Sequence, residues 1–205
     1  MENQKETWDS VANGWHNFKR KPFPETVYRL AENWSSGKIL DLGCGNGRNL
    51  MPFSEKGFEC HGVDFSIEML KNARSYFEKS ELKADFQLGE LTDIPFEDNY
   101  FDYIICIASF HHLNKEKQIK CLEEIKRVLK PGGKIYISVW NKWQDGFWFS
   151  KKEKYVKWRT RDCVIRRYYY LFSIFEFKKL LKKVGFKIDE AFGMFDKNIE
   201  VVCGY

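Results

Sequence analysis

The sequence predicts an α/β fold, a doubly wound and mostly parallel sheet that ends in an antiparallel hairpin. Three observations predict it. Short apolar runs alternate with helical stretches from Lys38 to Trp140, as expected for a parallel sheet with helices on both faces. The first run, Lys38–Leu42, passes directly into a glycine-rich turn, Gly43-Cys44-Gly45-Asn46-Gly47. After the last helical stretch, two apolar runs flank a turn with no helix between them.

The elements follow in order. Trp8, Val11, Ala12 and Trp15 recur at helical spacing and predict an amphipathic N-terminal helix, with the tryptophans in core or lid packing. Lys19-Arg20-Lys21-Pro22-Phe23-Pro24 breaks it, and a second helix runs from about Glu25 to Trp34. Residues 1–35 thus form a helical cap on a single domain spanning 1–205. Strands follow at Lys38–Leu42, Phe58–Val63, Ala84–Leu88, Phe101–Ile107 and Gly133–Trp140. A helix from Ile67 to Glu78 separates the second from the third. Ile119, Leu122, Ile125 and Leu129 mark the apolar stripe of another, stopped by Lys130-Pro131-Gly132-Gly133. Residues 141–172 form a basic, aromatic insert. Ser173-x-x-Glu176 resembles a capping box opening a helix through Val184, and Gly185 ends it. Phe186–Phe192 and Ile199–Tyr205 are the final antiparallel pair, bringing the sheet to seven strands.

Composition narrows the class. At 43% hydrophobic and 31% charged over 205 residues, the chain is that of a globular protein with a sizeable core. Its longest apolar run, Tyr103 to Ala108, is far too short for a membrane span. Met1-Glu2-Asn3-Gln4-Lys5-Glu6 has no apolar signal region, so a cytoplasmic location is expected. The six cysteines include no C-x-x-C pair and do not cluster with histidines at ligand spacing, so no metal site is expected. Cys60, Cys106 and Cys203 read as small core residues. Lys142–Lys183 holds 13 Lys+Arg against 4 Asp+Glu, whereas the whole chain is only +5. Such a basic region fits either a polyanionic substrate or a solvated lysine-rich face.

Ligands of open α/β sheets bind beyond the carboxyl ends of the strands. That rule gathers the chemistry-bearing segments at one edge. The glycines admit a ligand close to the backbone, and the helix start that follows offers unpaired N–H groups. Asp64, with Phe65, ends the second strand, where an acid can hydrogen-bond a ribose diol. Glu90 and Leu91 follow the third strand and flank a base. Ile107 ends the fourth, ahead of Ala108-Ser109-Phe110-His111-His112. This is a nucleoside-cofactor site, but its G-x-G-x-G spacing differs from the G-x-G-x-x-G that carries a dinucleotide pyrophosphate. The histidine pair either orients or deprotonates an acceptor, or caps and packs the strand end.

With Asp41 two residues ahead of Gly43, the turn resembles motif I of the class I S-adenosyl-L-methionine (SAM) methyltransferases, Rossmann-like enzymes. That resemblance implies SAM as cofactor, contacted by Gly43, Cys44, Gly45, Asn46, Gly47, Asp64, Phe65, Glu90, Leu91 and Ile107. Asp41 would orient its methionine end, directly or through water. No Asn/Asp-Pro-Pro-aromatic motif follows the fourth strand, and Cys106 lies inside it, which argues against base-amine and cytosine C5 methylation.

Three further segments narrow the family. They are Trp15-His16-Asn17-Phe18-Lys19-Arg20-Lys21-Pro22-Phe23-Pro24, Ala108-Ser109-Phe110-His111-His112, and Arg167-Tyr168-Tyr169-Tyr170-Leu171-Phe172. In this order they resemble the H-F-x-x-T-R-x-x-P-W-P, A-x-x-H-H-W and R-Y-Y-H-L-F stretches of the tRNA wobble-uridine carboxymethyl methyltransferases. The chain departs from that pattern at Phe23, Leu113, Tyr170 and Phe175, and keeps only Gly193 and Asn198 of a late Asp-Arg-Asp-Asn-Trp-like stretch. The resemblance implies esterification of a carboxymethyl group on the wobble uridine of the tRNA anticodon. It also implies a small zinc-ribbon activator subunit as partner. Arg20 is then the candidate to hold the carboxylate, or else a surface ion pair. His111 positions the uridine or carboxylate. Arg167 is a second candidate, or a phosphate contact. Aromatics of the basic insert can stack unpaired anticodon bases. Two other functions share the cofactor motifs: a small-molecule O-methyltransferase acting on a quinone precursor or carboxylic acid, and a non-catalytic RNA-binding protein.

Overall fold

The computed structural model describes residues 4–18, 21–22, 25–159 and 164–205. Nine strands and six α-helices are assigned among them. In chain order they are α1 (Gln4–Phe18), α2 (Glu25–Asn33), β1 (Lys38–Leu42), α3 (Met51–Glu55), β2 (Glu59–Asp64), α4 (Ile67–Lys79), β3 (Asp85–Leu88), β4 (Phe101–Ile107), α5 (Lys115–Val128), β5 (Leu129–Trp140), β6 (Glu153–Arg159), β7 (Val164–Tyr170), α6 (Ile174–Val184), β8 (Lys187–Phe192) and β9 (Asn198–Gly204).

Seven strands form one sheet in the order β3-β2-β1-β4-β5-β9-β8. The first five are parallel, and β9 runs antiparallel between β5 and β8. Successive strand residues point to opposite faces, so each strand divides its apolar side chains between two cores. Leu40, Leu42, Cys106, Ile135 and Ile137 pack with Leu122 and Ile125 of α5 and with Phe177 and Leu181 of α6. Ile39, Ile105, Ile107 and Tyr136 pack with Val27 of α2, Phe53 of α3, and Leu70 and Phe77 of α4. Helices cover both faces, which makes the sheet doubly wound.

Capping sets the helix boundaries. The hydroxyls of Ser66 and Ser173 accept from the N–H groups of Met69 and Glu176, and the Asn114 side chain accepts from Lys117. Gly185, at φ +100°, closes α6 in the left-handed conformation.

One segment differs from the sequence-based expectation and another gains structure that the sequence left open. Helix α5 stops at Val128, before Lys130-Pro131-Gly132-Gly133, and those four residues bulge out of β5 instead. Leu129 pairs with Phe101 and Lys134 with Tyr103, so the extra residues are absorbed between adjacent rungs. The sequence names no elements inside the basic insert. It contains the separate antiparallel hairpin β6–β7, in which Val156 faces Arg167 and Trp158 faces Ile165.

Asn141 joins that insert to the sheet. It is fully buried, and its Nδ2 lies 2.7 Å from the Gly193 carbonyl and 3.0 Å from those of Met194 and Asp196. Its Oδ1 accepts the Trp143 N–H at 2.9 Å. One side chain thus holds the β8–β9 turn and the start of the insert together. Asn141→Ala leaves these groups unpaired and is expected to lower the unfolding free energy by about 2–3 kcal/mol, measured by urea titration.

Candidate active site

Beyond the carboxyl ends of β1, β2 and β4 opens a cleft of about 290 Å³. Its floor is the turn after β1. Gly43, Gly45 and Gly47 have φ of +77°, +52° and +75°, a region that disfavours any side chain. At Gly43 the requirement is also steric, because a Cβ there would sit 2.5 Å from Cβ and Oγ of Ser109. The N–H groups of Gly43 and Cys44 donate to the Val63 carbonyl at 2.8 and 3.0 Å, which folds the turn back over β2.

Asp64 then shapes the turn from the β2 side. Its Oδ2 accepts the Gly45 N–H at 2.8 Å, and its Oδ1 accepts the Ser66 N–H at 2.9 Å. Burial pushes its carboxyl up to about 6, against the pull of those two N–H donors. Each oxygen keeps a second lone pair, so the carboxylate can still receive hydroxyls from the cleft.

The third wall turns on Ala108. Its φ of +54° is rare for a residue with a Cβ and sends the chain sharply off the end of β4. The turn lets the Ser109 hydroxyl donate to the Gly43 carbonyl at 2.9 Å. Helix α1 forms the roof with Gln4, Lys5, Trp8 and Trp15. Asp9 pins it down by accepting from the Ser66 hydroxyl at 2.6 Å and the Glu68 N–H at 3.3 Å.

The candidate residues divide as follows. Gly43, Cys44, Gly45, Asn46, Asp64, Phe65, Glu90, Leu91 and Ile107 line the cleft. Gly47 and Asp41 do not. Gly47 packs instead, since a Cβ there would meet the Phe86 ring at 2.9 Å. Asp41 is wholly buried on the β1 face shared with Ile39, and neither carboxyl oxygen has a hydrogen-bond partner among the described residues. His111 is buried behind the cleft, where its Nδ1 accepts the Trp140 N–H at 3.2 Å. Its neighbour His112 lines the cleft. Arg20 lies outside the described residues.

Arg167 sits behind α1 in a cage of four rings. Its Cζ is 5.4 Å from the Trp8 ring, 5.7 Å from Trp15, 5.1 Å from Trp158 and 5.4 Å from Tyr169. The side chain is buried and its Nε has no hydrogen-bond partner among the described residues. The sequence places Ser109 and the histidine pair at the ligand edge and gives Trp8 and Trp15 core or lid packing, but it singles out His111 rather than His112 and names none of these four as a cofactor contact. The helical spacing of the tryptophans announced a buried face, but not what that face covers.

These features fit a SAM-type ligand. The glycine cradle would admit it with backbone alone, Asp64 has lone pairs to receive a diol, and the orphaned Asp41 carboxyl lies beneath the turn.

Burial, with Asp64 nearby, pushes the Asp41 carboxyl up to about 8, and Arg48 opposes the shift. Between the unfolded value near 4 and about 8, the folded chain holds a proton that the unfolded chain has released. Stability from this group is therefore full below pH 4 and lost as pH rises to 8. Asp64 contributes only up to about 6. Asp41→Asn should flatten the fall in stability between pH 6.5 and 8, a difference of roughly 2 kcal/mol measured by denaturant titration at the two values. It should also weaken SAM binding at least tenfold by calorimetry.

Comparison with known proteins agrees with this geometry. Residues 39–133 match the methyltransferase domain family. A provisionally named methyltransferase of Encephalitozoon cuniculi is 30% identical over 159 residues, 73% of this chain and 70% of that protein. The probable tRNA methyltransferase 9B of Bos taurus is 30% identical over 77% of this chain, and the chain spans only 33% of that relative's length. A demethylmenaquinone methyltransferase of Paenarthrobacter aurescens is 38% identical over 49% of this chain and 38% of its own. Among solved structures, the PH0226 protein of Pyrococcus horikoshii superposes with a TM-score of 0.74 at 26% identity, covering 88% of both chains. A chain from the complex of the Haloferax volcanii Trm112 methyltransferase activator with its provisionally assigned methyltransferase superposes at 0.69 with 20% identity, covering 97% of this chain and 94% of that one. Fold, turn and relatives agree: the chain belongs to the class I SAM-dependent methyltransferases.

Proposed function

We propose that this methyltransferase esterifies a carboxymethyl group on the wobble uridine of tRNA. The observation that carries the reading is Arg167, a buried guanidinium whose Nε is unmet among the described residues, held in the middle of a basic hairpin against the two indoles that roof the cofactor cleft. A guanidinium receives a carboxylate through parallel hydrogen bonds, which orients an oxygen as well as attracting it. Arg20 is proposed as a second carboxylate contact.

SAM supplies a methyl group activated by a sulfonium leaving group. Asp64, Phe65, Glu90 and Leu91 are proposed to hold its nucleoside, and Gly43, Gly45 and Asn46 its methionine end, with Asp41 beneath. A carboxylate is ionised at neutral pH and needs no strong base. The remaining task of the protein is alignment of the attacking oxygen and exclusion of water, worth on the order of 7–11 kcal/mol for well-oriented partners. Trp8 and Trp15 wall the cleft against solvent.

The hairpin supports an RNA substrate. On β6 and β7, Tyr155, Lys157, Arg159 and Arg166 are exposed, while Val156, Trp158, Ile165 and Arg167 alternate to the other face. In the loop before β6, Trp148 and Phe149 are exposed, and Lys154 lies 3.9 Å from the Phe147 ring centre. Cations meet phosphates and rings stack unpaired bases. The names of the tRNA methyltransferase 9B relatives support the same substrate. The activator in the Haloferax volcanii complex supports a small partner subunit here. The second reading, a quinone-precursor methyltransferase, is favoured by 38% identity to demethylmenaquinone methyltransferase, but that likeness covers only half of the chain.

The test is methyl transfer from labelled SAM to tRNA lacking the wobble ester, with and without the host's zinc-ribbon protein. Base-labile label in a uridine nucleoside is the expected result. SAM binding without transfer to tRNA in either condition shifts the reading to a small acceptor. In the same assay, the double variant Lys157→Glu, Arg166→Glu should bind SAM normally. Its tRNA affinity should fall tenfold or more, with a shallower dependence on salt.

A further inference from the structure

His112 is a polar side chain of the cleft whose chemistry the turn and Asp64 leave unexplained. Its Nδ1 lies 2.7 Å from the Tyr168 carbonyl oxygen. A carbonyl only accepts, so Nδ1 carries the hydrogen. Burial, and to a lesser extent the Arg167 cation, pull the imidazole down to about 4, so the ring is neutral near pH 7. In a neutral ring with hydrogen on Nδ1, Nε2 keeps a bare lone pair. Among the described residues nothing donates to it. The ring plane is fixed by edge contacts to Trp8 at 5.0 Å and to Tyr169 and His111 at 4.5 Å. His111 has no such freedom, because its Nδ1 is spent on Trp140 and its ring stacks on Tyr169 at 5.0 Å.

We infer that His112 selects the methyl-accepting substrate by receiving a hydrogen bond at Nε2 from an N–H or O–H group of that substrate. An atom that only accepts repels the oxygens of a carboxylate, so His112 does not hold the anion; it holds what is attached to the anion. Arg167 and His112 then form a two-point filter, a cation for the carboxylate and an acceptor for a neighbouring donor. Resting on the proposed tRNA reading, the donor is the imide N3–H of uridine. A simple fatty or aromatic acid satisfies Arg167 but leaves His112 unmet.

The experiment pairs a change in the enzyme with a change in the substrate. His112→Asn keeps a donor toward Tyr168 and removes the Nε2 lone pair, whereas His112→Gln carries an amide out to the Nε2 position. Each is assayed with an anticodon stem-loop bearing carboxymethyluridine and with its N3-methylated counterpart. Nitrogen-15 spectra of histidine-labelled wild type are recorded from pH 5.5 to 8. The expected spectrum shows His112 protonated at Nδ1 and bare at Nε2 throughout. N3-methylation should lower kcat/KM about tenfold with wild type. His112→Asn should lower it similarly on the unmodified RNA, and the two changes together should cost no more than either alone. His112→Gln should recover part of the loss.

Equal use of both RNAs by wild type, fully additive losses, or an imidazolium at pH 7 would overturn the assignment. If wild type methylates neither RNA, the carboxymethyluridine reading fails separately. The spectra then decide His112 alone: a bare Nε2 upholds it as a hydrogen-bond acceptor, and a protonated one removes it.

Discussion

The site depends on the point where the chain leaves two neighbouring parallel strands toward opposite faces of the sheet. Strand β1 pairs with β2 on one side and β4 on the other. After β1 the chain enters α3, which packs on one face, and after β4 it enters α5, on the opposite face. The two departing segments separate and leave a crevice that no side chain of the sheet can fill. Gly43 and Ser109 stand on its two lips and touch, the Ser109 hydroxyl donating to the Gly43 carbonyl at 2.9 Å. The contact demands glycine on one lip and the unusual backbone of Ala108 on the other. Asp64 then ties the far end of the turn to β2 through Gly45. The cleft is thus a consequence of connectivity, stabilised by a few directed hydrogen bonds.

Arg167 shows which interactions are left for a ligand. A cation over an aromatic ring gains about 0.5–2 kcal/mol, and four rings surround this one. Removing a guanidinium from water costs several kcal/mol, so the cage roughly offsets the burial. Rings do not replace a directed acceptor, however, and the unmet Nε donor still carries a penalty of about 1–3 kcal/mol. A carboxylate relieves it; another apolar contact does not.

The sheet was largely legible because its periodicities are local. Alternation of strand and helix, and punctuation by Ser66, Asn114, Ser173 and Gly185, follow from neighbours within a few residues. The glycine turn and Asp64 were visible for the same reason, with spacing along the chain reflecting one strand end after another. Three features were hidden. The short turn at Phe110–His112 sends adjacent histidines to different surroundings, and no period distinguishes His111 from His112. The lining role of Trp8 and Trp15 depends on where α1 docks, through Asp9 onto Ser66, a contact 57 residues apart in sequence. The bulge at Lys130–Gly133 carries helix-stop residues, yet strand pairing across it is satisfied by Phe101 and Tyr103 from elsewhere in the chain.

Helix α1 joins the cofactor cleft to the proposed substrate contacts. Its Trp8 and Trp15 roof the cofactor cleft on one side and form half of the Arg167 cage on the other. Trp8 also meets the His112 ring at 5.0 Å. The Gln4 side chain accepts the Tyr168 N–H at 3.1 Å, next to the carbonyl that fixes the His112 tautomer. A cofactor filling the cleft packs against the same indoles that position the cation and the imidazole. Order in the roof therefore supports both sites together, and disorder in it removes both. An enzyme that must keep water from an activated methyl until an acceptor is seated gains from that arrangement, because a single wall carries both conditions.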